Sequence, residues 1–183
     1  MNKKATKKFI PISWQRYEKD AISLAKKIRD EYGRIDEIIA IARGGIVLSR
    51  ILSDILDARI SFITIESYKN FDQQKTPVIT HLLSKKFTNE KILLVDELAD
   101  SGATFLRATA YLKESNVMSF ITASLYIKPR TKYVPHFYEE QLNGWIILPY
   151  ELRETKAAFI EKFGLQEAKK KLRQLGIVDW STI

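Results

Sequence analysis

The sequence predicts an α/β fold: a single domain with a mainly parallel sheet flanked by helices, a flexible lid loop and a C-terminal helical tail. Three observations carry that expectation. Ile92–Val95 is an unbroken apolar run, β-branched at both ends, as suits a strand buried on both faces, and it passes through acidic residues and a small-residue turn into a helical stretch over Ala103–Glu114. The same succession of apolar strand, glycine turn and helix occurs earlier, over 37–56, and a third strand, Ser119–Ile127, follows the second helix. Strands joined by helical crossovers lie parallel, and right-handed connections bring their turns to one edge of the sheet.

Composition bounds the chemistry. The 183 residues fit one domain with a full core, and the apolar fraction of 45% is that of an ordinary globule. Cysteine is absent, which excludes disulfides and thiolate sites and agrees with a reducing compartment. The first residues have the charges of a signal peptide without an apolar stretch after them, and no run reaches membrane-spanning length, so a cytoplasmic location is expected. Thirty Lys and Arg against 22 Asp and Glu give a net charge of +8, which favours an anionic partner, either a phosphorylated metabolite or nucleic acid. Lys3, Lys4, Lys7 and Lys8 place part of that excess in a basic stretch, residues 1–12, expected to be mobile.

Taken from the N-terminus, Trp14, Tyr17, Ala21, Leu24 and Ile28 recur at spacings of three and four, predicting an amphipathic helix over 14–32 with Ser13 as its cap and Gly33 as its end. Glu37–Ala42 reads as a short buried strand, Arg43-Gly44-Gly45 as a turn, and Ile46–Leu56 as a helix. Ile60–Glu66 alternates apolar and polar residues under β-branched enrichment and reads as a strand. Ser67–Lys86 is polar and aperiodic, and so long a stretch in a compact domain is a functional lid or a disordered loop. His81 and His136 show no metal-ligand spacing. Trp145, on a short apolar strand, reads in isolation as core. Leu152–Gly176 is helical with a break at Gly164, and Phe159, Ile160, Phe163, Ala168, Leu172 and Leu175 are placed to pack against the domain or another subunit.

The residues that carry chemistry follow Val95. Asp96, Glu97 and Asp100 precede Ser101-Gly102-Ala103-Thr104, which opens a helix. Small residues at a strand-to-helix turn leave backbone N–H groups pointing outward, where the helix N-terminus adds positive potential, so the turn can hold a phosphate. Carboxylates beside bound phosphate are compatible when they contact sugar hydroxyls or when a divalent cation bridges the two.

VDELADSGAT resembles the diphosphate-sugar signature of the type I phosphoribosyltransferases: apolar residues, two acids, two spacers, a third acid, then a Thr/Ser-Gly-x-Thr loop. Glu97 stands where many members carry Asp and Ser101 where many carry Thr, each keeping the functional group. The resemblance spans about residues 37–151 through motifs in the family's order. Arg43-Gly44-Gly45 resembles the short pyrophosphate loop, in which the Arg–Gly peptide is often cis. Ser67-Tyr68 resembles the opening of the lid that folds over the ribose-diphosphate, and Lys128 before Pro129 resembles the Lys that meets the purine exocyclic oxygen in the 6-oxopurine branch. Trp145 and Ile146 resemble the residues whose ring stacks on the base and whose backbone meets its edge, with Tyr150 replacing a Trp of the bacterial xanthine–guanine enzymes.

The resemblance implies 5-phosphoribosyl diphosphate with Mg²⁺ as donor and guanine, hypoxanthine or xanthine as acceptor. It assigns Arg43, Gly44, Gly45, Asp96, Glu97, Ala99, Asp100, Ser101, Gly102, Ala103 and Thr104 to the diphosphate sugar. Asp96 and Glu97 would hold ribose hydroxyls and, through the sugar diphosphate or water, Mg²⁺, with Glu151 a further candidate; Asp100 would accept the purine N7 proton as N9 attacks. Family members are commonly dimers or tetramers. Two other readings compete. One is a non-catalytic regulator on this fold that grips RNA or DNA, against which stand Asp100, Lys128 and Trp145; the other is a phosphoribosyltransferase for adenine or a pyrimidine, against which stands Lys128.

Overall fold

The computed structural model describes residues 8–66, 69–70, 73–74, 77–117 and 119–177. In chain order the elements are β1 (Phe9–Pro11), α1 (Trp14–Tyr32), β2 (Glu37–Ala42), α2 (Gly45–Leu56), β3 (Arg59–Glu66), β4 (Lys69–Asn70), β5 (Gln73–Gln74) and β6 (Val78–His81). They continue with β7 (Ile92–Ala99), α3 (Ala103–Glu114), β8 (Phe120–Ile127), β9 (Phe137–Gln141), β10 (Trp145–Ile147), α4 (Leu152–Phe163) and α5 (Leu165–Gln174). The chain divides into two compact units, one formed by Glu18–Leu142 and the other by the segments up to Tyr17 and from Asn143 onward.

The larger unit holds a six-stranded sheet in the order β6-β3-β2-β7-β8-β9, parallel except for β6, which runs antiparallel to β3. Every residue of β2 is buried, and Ile38–Ala42 is the unbroken apolar run that a strand in the middle of a covered sheet requires. Ile39, Ile41, Ile63, Ile92 and Leu94 form one core cluster with Phe105, Ala108 and Leu112 of α3. Each Ile, Leu or Phe among them contributes about 1.5–3 kcal/mol by leaving water, so the apolar stripe of α3 fixes its seat on the strands. The chain leaves β2 in one direction to reach β3 and resumes on the other side of β2 with β7, so the strand order reverses between β2 and β7. In open α/β sheets that reversal, at the carboxyl ends of the strands, is where ligands sit.

At the opposite end of β2, Glu37 is 1% exposed yet fully engaged, accepting from Arg59 Nε at 3.0 Å, Ser61 Oγ at 2.6 Å and Lys85 Nζ at 2.7 Å. Burial alone would raise its pKa, but these three donors more than offset that and hold the carboxylate below its ordinary range.

In the smaller unit β1 pairs parallel with β10, Phe9 beside Trp145 and Pro11 beside Ile147. Ile147 packs with Phe159 of α4 and Ala168 and Leu172 of α5 as a second core cluster, on the apolar positions expected of the tail.

The structure departs from the sequence reading, or adds to it, at several points. The acidic residues do not end the strand: β7 continues to Ala99, because its pairing with β8 runs on through Asp96–Ser124 and Leu98–Tyr126. Part of the loop expected over Ser67–Lys86 is ordered, since Val78–His81 adds to the open edge of β3 and satisfies its backbone groups there, a source of order with no sequence period. Within the basic N-terminal stretch Phe9–Pro11 forms β1, and residues 1–7 lie outside the described residues. Phe137–Gln141, unmarked by apolar periodicity, forms β9 at the far edge. Ser67 and Tyr68 lie outside the described residues.

Candidate active site

Two turns meet at the reversal between β2 and β7. The first follows β2. Its Ala42–Arg43 peptide is cis, one residue ahead of the Arg43–Gly44 bond at which the resemblance places it. The Gly44 position is set by contact, because a Cβ there would overlap the Glu97 carboxylate, and one on Gly45 would overlap the carbonyl oxygen of Val95. Only glycine lets this turn lie directly on the end of β7. Arg43 is exposed beside it.

The second turn is Asp100–Gly102, which leads from β7 into α3. Gly102 sits at φ 82°, in the left-handed region that glycine enters at no steric cost, and it is the residue that precedes the first turn of the helix. Ser101 Oγ accepts from the Ala103 amide at 3.3 Å. Ala103 and Thr104 present a helix N-terminus made of small side chains, a geometry suited to a phosphate group.

Between the turns stand the carboxylates. Asp96 is 8% exposed and accepts from the Glu97 amide at 2.9 Å. Burial pushes its carboxyl from 3.8 up to about 6, while hydrogen bonds from Glu97 pull the other way. Glu97 is half-buried against the first turn. Asp100, just beyond the end of β7, is partly exposed and is held by Arg130, whose Nε lies 2.9 Å from Oδ1 and whose Nη2 lies 2.6 Å from Oδ2. Ala99 is buried, and its carbonyl accepts from the Lys128 amide at 3.0 Å. Lys128, at the end of β8, is itself only 8% exposed, which places a buried cation one strand away from the acidic turn.

The structure thus brings together Gly44, Gly45, Asp96, Glu97, Asp100–Thr104 and Lys128, all within the larger unit. Trp145, Ile146 and Glu151 belong to the smaller one. There Ile146 is buried, but Trp145 is 38% exposed and tilted against Phe9 at 6.4 Å, so its ring is not the core residue that its strand position suggests in isolation. Arg130 was given no part by the sequence pattern. The signal available was its place two residues after Lys128, on the segment that follows β8.

An adjacent carboxylate pair beside two glycine-containing turns fits Mg²⁺, which keeps much of its water and takes further oxygens from phosphate groups. Among the described residues no group of three or more His, Asp or Glu side chains is gathered around a common point. Nor, among them, is any helix long and apolar enough to cross a membrane.

Comparison with known proteins agrees with this geometry. The phosphoribosyl transferase domain matches residues 13–155. The xanthine-guanine phosphoribosyltransferase of Nitratidesulfovibrio vulgaris strain Hildenborough is 28% identical over 148 residues, covering 79% of this chain and 86% of that protein. The purine phosphoribosyltransferase of Pyrococcus horikoshii superposes with a TM-score of 0.70 at 29% identity, over 78% of this chain and 93% of that one. The xanthine-guanine-hypoxanthine phosphoribosyltransferase of Helicobacter pylori superposes with a TM-score of 0.71 at 26% identity, over 82% and 99% respectively. In sequence, in fold and in the turns that meet at its strand reversal, the chain belongs to the phosphoribosyltransferase family and resembles its xanthine–guanine branch.

Proposed function

We propose that the protein transfers the 5-phosphoribosyl group from 5-phosphoribosyl diphosphate to a 6-oxopurine, with Mg²⁺, releasing diphosphate and forming a nucleoside 5′-monophosphate in the cytoplasm. One observation carries the reading: the Gly44-Gly45 turn lies against the Glu97 carboxylate at the strand reversal, so a phosphate turn and the acidic end of β7 share one location. A sugar with phosphate at one end and diphosphate at the other is a ligand that uses both turns.

In this reading the amides of Ser101–Thr104 hold the 5-phosphate and those of Arg43–Gly45 the diphosphate. Asp96 and Glu97 orient the ribose hydroxyls and hold the metal through the sugar diphosphate or water. Mg²⁺, when bound, offsets the charge that grows on the departing diphosphate. As the C1–oxygen bond breaks, positive charge develops on the ring, and the nearby carboxylates stabilise it. N9 of the purine forms the new bond to C1, and Asp100 accepts the N7 proton. Lys128 donates to the 6-oxygen, which adenine does not offer. Trp145 and Ile146 are assigned to the base, and Glu151 to the metal, on sequence resemblance alone.

A spectrophotometric assay with guanine, hypoxanthine, xanthine and adenine, each with 5-phosphoribosyl diphosphate and Mg²⁺, tests the proposal. Turnover of at least one 6-oxopurine, lost on chelation, is expected. Absence of turnover with every purine, together with salt-sensitive RNA binding, would replace it with a regulator. The protein is further read as a dimer or tetramer, for which exposed Ile60 and Phe62 of β3 and Val78 of β6 supply an apolar surface; light scattering tests this.

A further inference from the structure

The segment after β8 runs beside the end of β7 and the turn after it and is tied to them by two backbone hydrogen bonds. The Lys128 amide donates to the Ala99 carbonyl and the Lys132 amide to the Ser101 carbonyl, each at 3.0 Å. Beyond them the segment closes over Gly102: a Cβ there would lie 2.6 Å from the Tyr133 amide nitrogen and 2.9 Å from Thr131 Oγ1. The Tyr133 ring then stacks on Phe105 of α3, with centroids 5.2 Å apart and planes 5° from parallel. Between the two backbone ties Arg130 contributes its side chain, and its guanidinium reaches Asp100 side-on through two hydrogen bonds of 2.9 and 2.6 Å.

An exposed ion pair usually contributes little, because two long side chains must be immobilised to make it. This pair differs in two ways. The backbone ties on either side already hold Arg130 opposite Asp100, and the planar fork of Arg matches both carboxylate oxygens at once. A carboxylate offers roughly four lone-pair sites, so a bidentate partner leaves one on each oxygen for a further donor. Asp100 is therefore fixed in plane and direction and can still accept a proton-bearing group.

We propose that Arg130 is the positioning residue for Asp100, holding its carboxylate in the orientation in which it meets the purine N7 proton. The inference rests on the assignment of Asp100 as proton acceptor above. Arg130 acts through Asp100 and need not touch the substrate itself.

Steady-state kinetics on the full chain test it, with guanine as acceptor and 5-phosphoribosyl diphosphate with Mg²⁺ as donor. A misplacement of about 1 Å can cost on the order of a hundredfold in rate, so Arg130→Ala should lower kcat roughly ten- to a hundredfold while the KM for 5-phosphoribosyl diphosphate stays within about twofold. Arg130→Lys keeps the charge without the fork and should recover part of the loss. In an Asp100→Asn background, Arg130→Ala should cost less than about a further twofold, because the group it positions is gone. Losses that multiply in the double variant would give Arg130 an independent role and overturn the proposal. So would an increase in kcat, which would make the pair a lock, or a loss confined to the KM for the diphosphate sugar. Arg130→Gln, which retains the stem, repeats the measurement if Arg130→Ala melts well below the parent. A parent protein that turns over no purine refutes the assigned activity itself, an outcome distinct from any pattern produced by Arg130.

Discussion

Replacing Asp96 by Asn should stabilise the protein while disabling it. Asp96 is 8% exposed within β7, and its burial raises the carboxyl from 3.8 to about 6. A carboxyl whose folded pKa lies above its unfolded value favours folding below the unfolded pKa and loses that contribution as pH rises through the folded one. The cost of the buried charge therefore grows between about pH 4 and pH 6 and is complete at neutral pH. A rise of roughly two units corresponds to about 3 kcal/mol at 1.36 kcal/mol per unit, an upper bound on what neutralisation can recover. Asn keeps the shape and an oxygen to accept the Glu97 amide, so a gain of about 1–3 kcal/mol is expected at pH 7.5. For a chain of this size that is roughly 2–12 °C in Tm. Thermal melts of parent and variant at pH 7.5 and pH 4.5 measure it, and the difference should shrink at the lower pH. Catalysis should fall at least about tenfold if, as proposed, the stability forgone is held in a group that meets the ribose. A variant that melts lower than the parent, or by the same margin at both pH values, would show that Asp96 carries no burial cost.

Glu37 has the opposite sign: its pKa is lowered below 4.5, so its contribution is full above that value and is lost as pH falls through the folded pKa. Glu37→Gln should cost about 1–3 kcal/mol at neutral pH by leaving Lys85 and Arg59 without their carboxylate partner, and urea titrations at pH 7 and pH 3.5 should show the difference closing in acid. Gly102→Ala forces a side chain into φ 82° and onto the Tyr133 amide, so calorimetry should show a loss of about 2 kcal/mol or more, with activity falling alongside. Lys128→Ala should reduce use of 6-oxopurines by roughly ten- to a hundredfold and narrow their advantage over adenine, read from kcat/KM for each base. Trp145→Ala should weaken purine binding by about ten- to a hundredfold without changing the KM for the diphosphate sugar; the reverse pattern would remove Trp145 from the base site.

The strand–turn–helix units were legible because their signals are local. The helix over 14–32 appears with its expected bounds, with Ser13 Oγ accepting from the Arg16 amide at 3.2 Å and Gly33 at φ 83° closing the end. The helix over Ala103–Glu114 likewise needed only its own residues. What stayed hidden depends on partners distant in sequence. Asp96 and Glu97 look like a strand terminus until β8 is seen continuing beside them. Val78–His81 and Phe137–Gln141 are edge strands whose order comes from backbone pairing more than from apolar pattern. Arg130 lies 30 residues from Asp100, and no spacing rule links a guanidinium to a carboxylate across a sheet edge. Candidate site residues clustered in one motif, Asp96–Thr104, were placed together by the chain itself, whereas the tie that holds Asp100 required the fold.

The pairing of β1 with β10 bears on how the chain is made. Phe9 lies beside Trp145, so the contact spans 145 − 9 = 136 residues, and synthesis produces one strand long before the other. At about 5–20 residues per second, the first strand waits roughly 7–27 s for its partner. Domains of the kind formed by Glu18–Leu142 can collapse within that interval, since non-specific collapse takes about 10–100 μs. The smaller unit is therefore completed last, after its final helix has emerged, and until then the backbone edge of Phe9–Pro11 and the ring of Phe9 are available to other chains. A nascent chain stalled before Trp145 would expose that edge permanently, so the yield of soluble protein should be more sensitive to truncation within the last 40 residues than the two turns at the strand reversal alone would require.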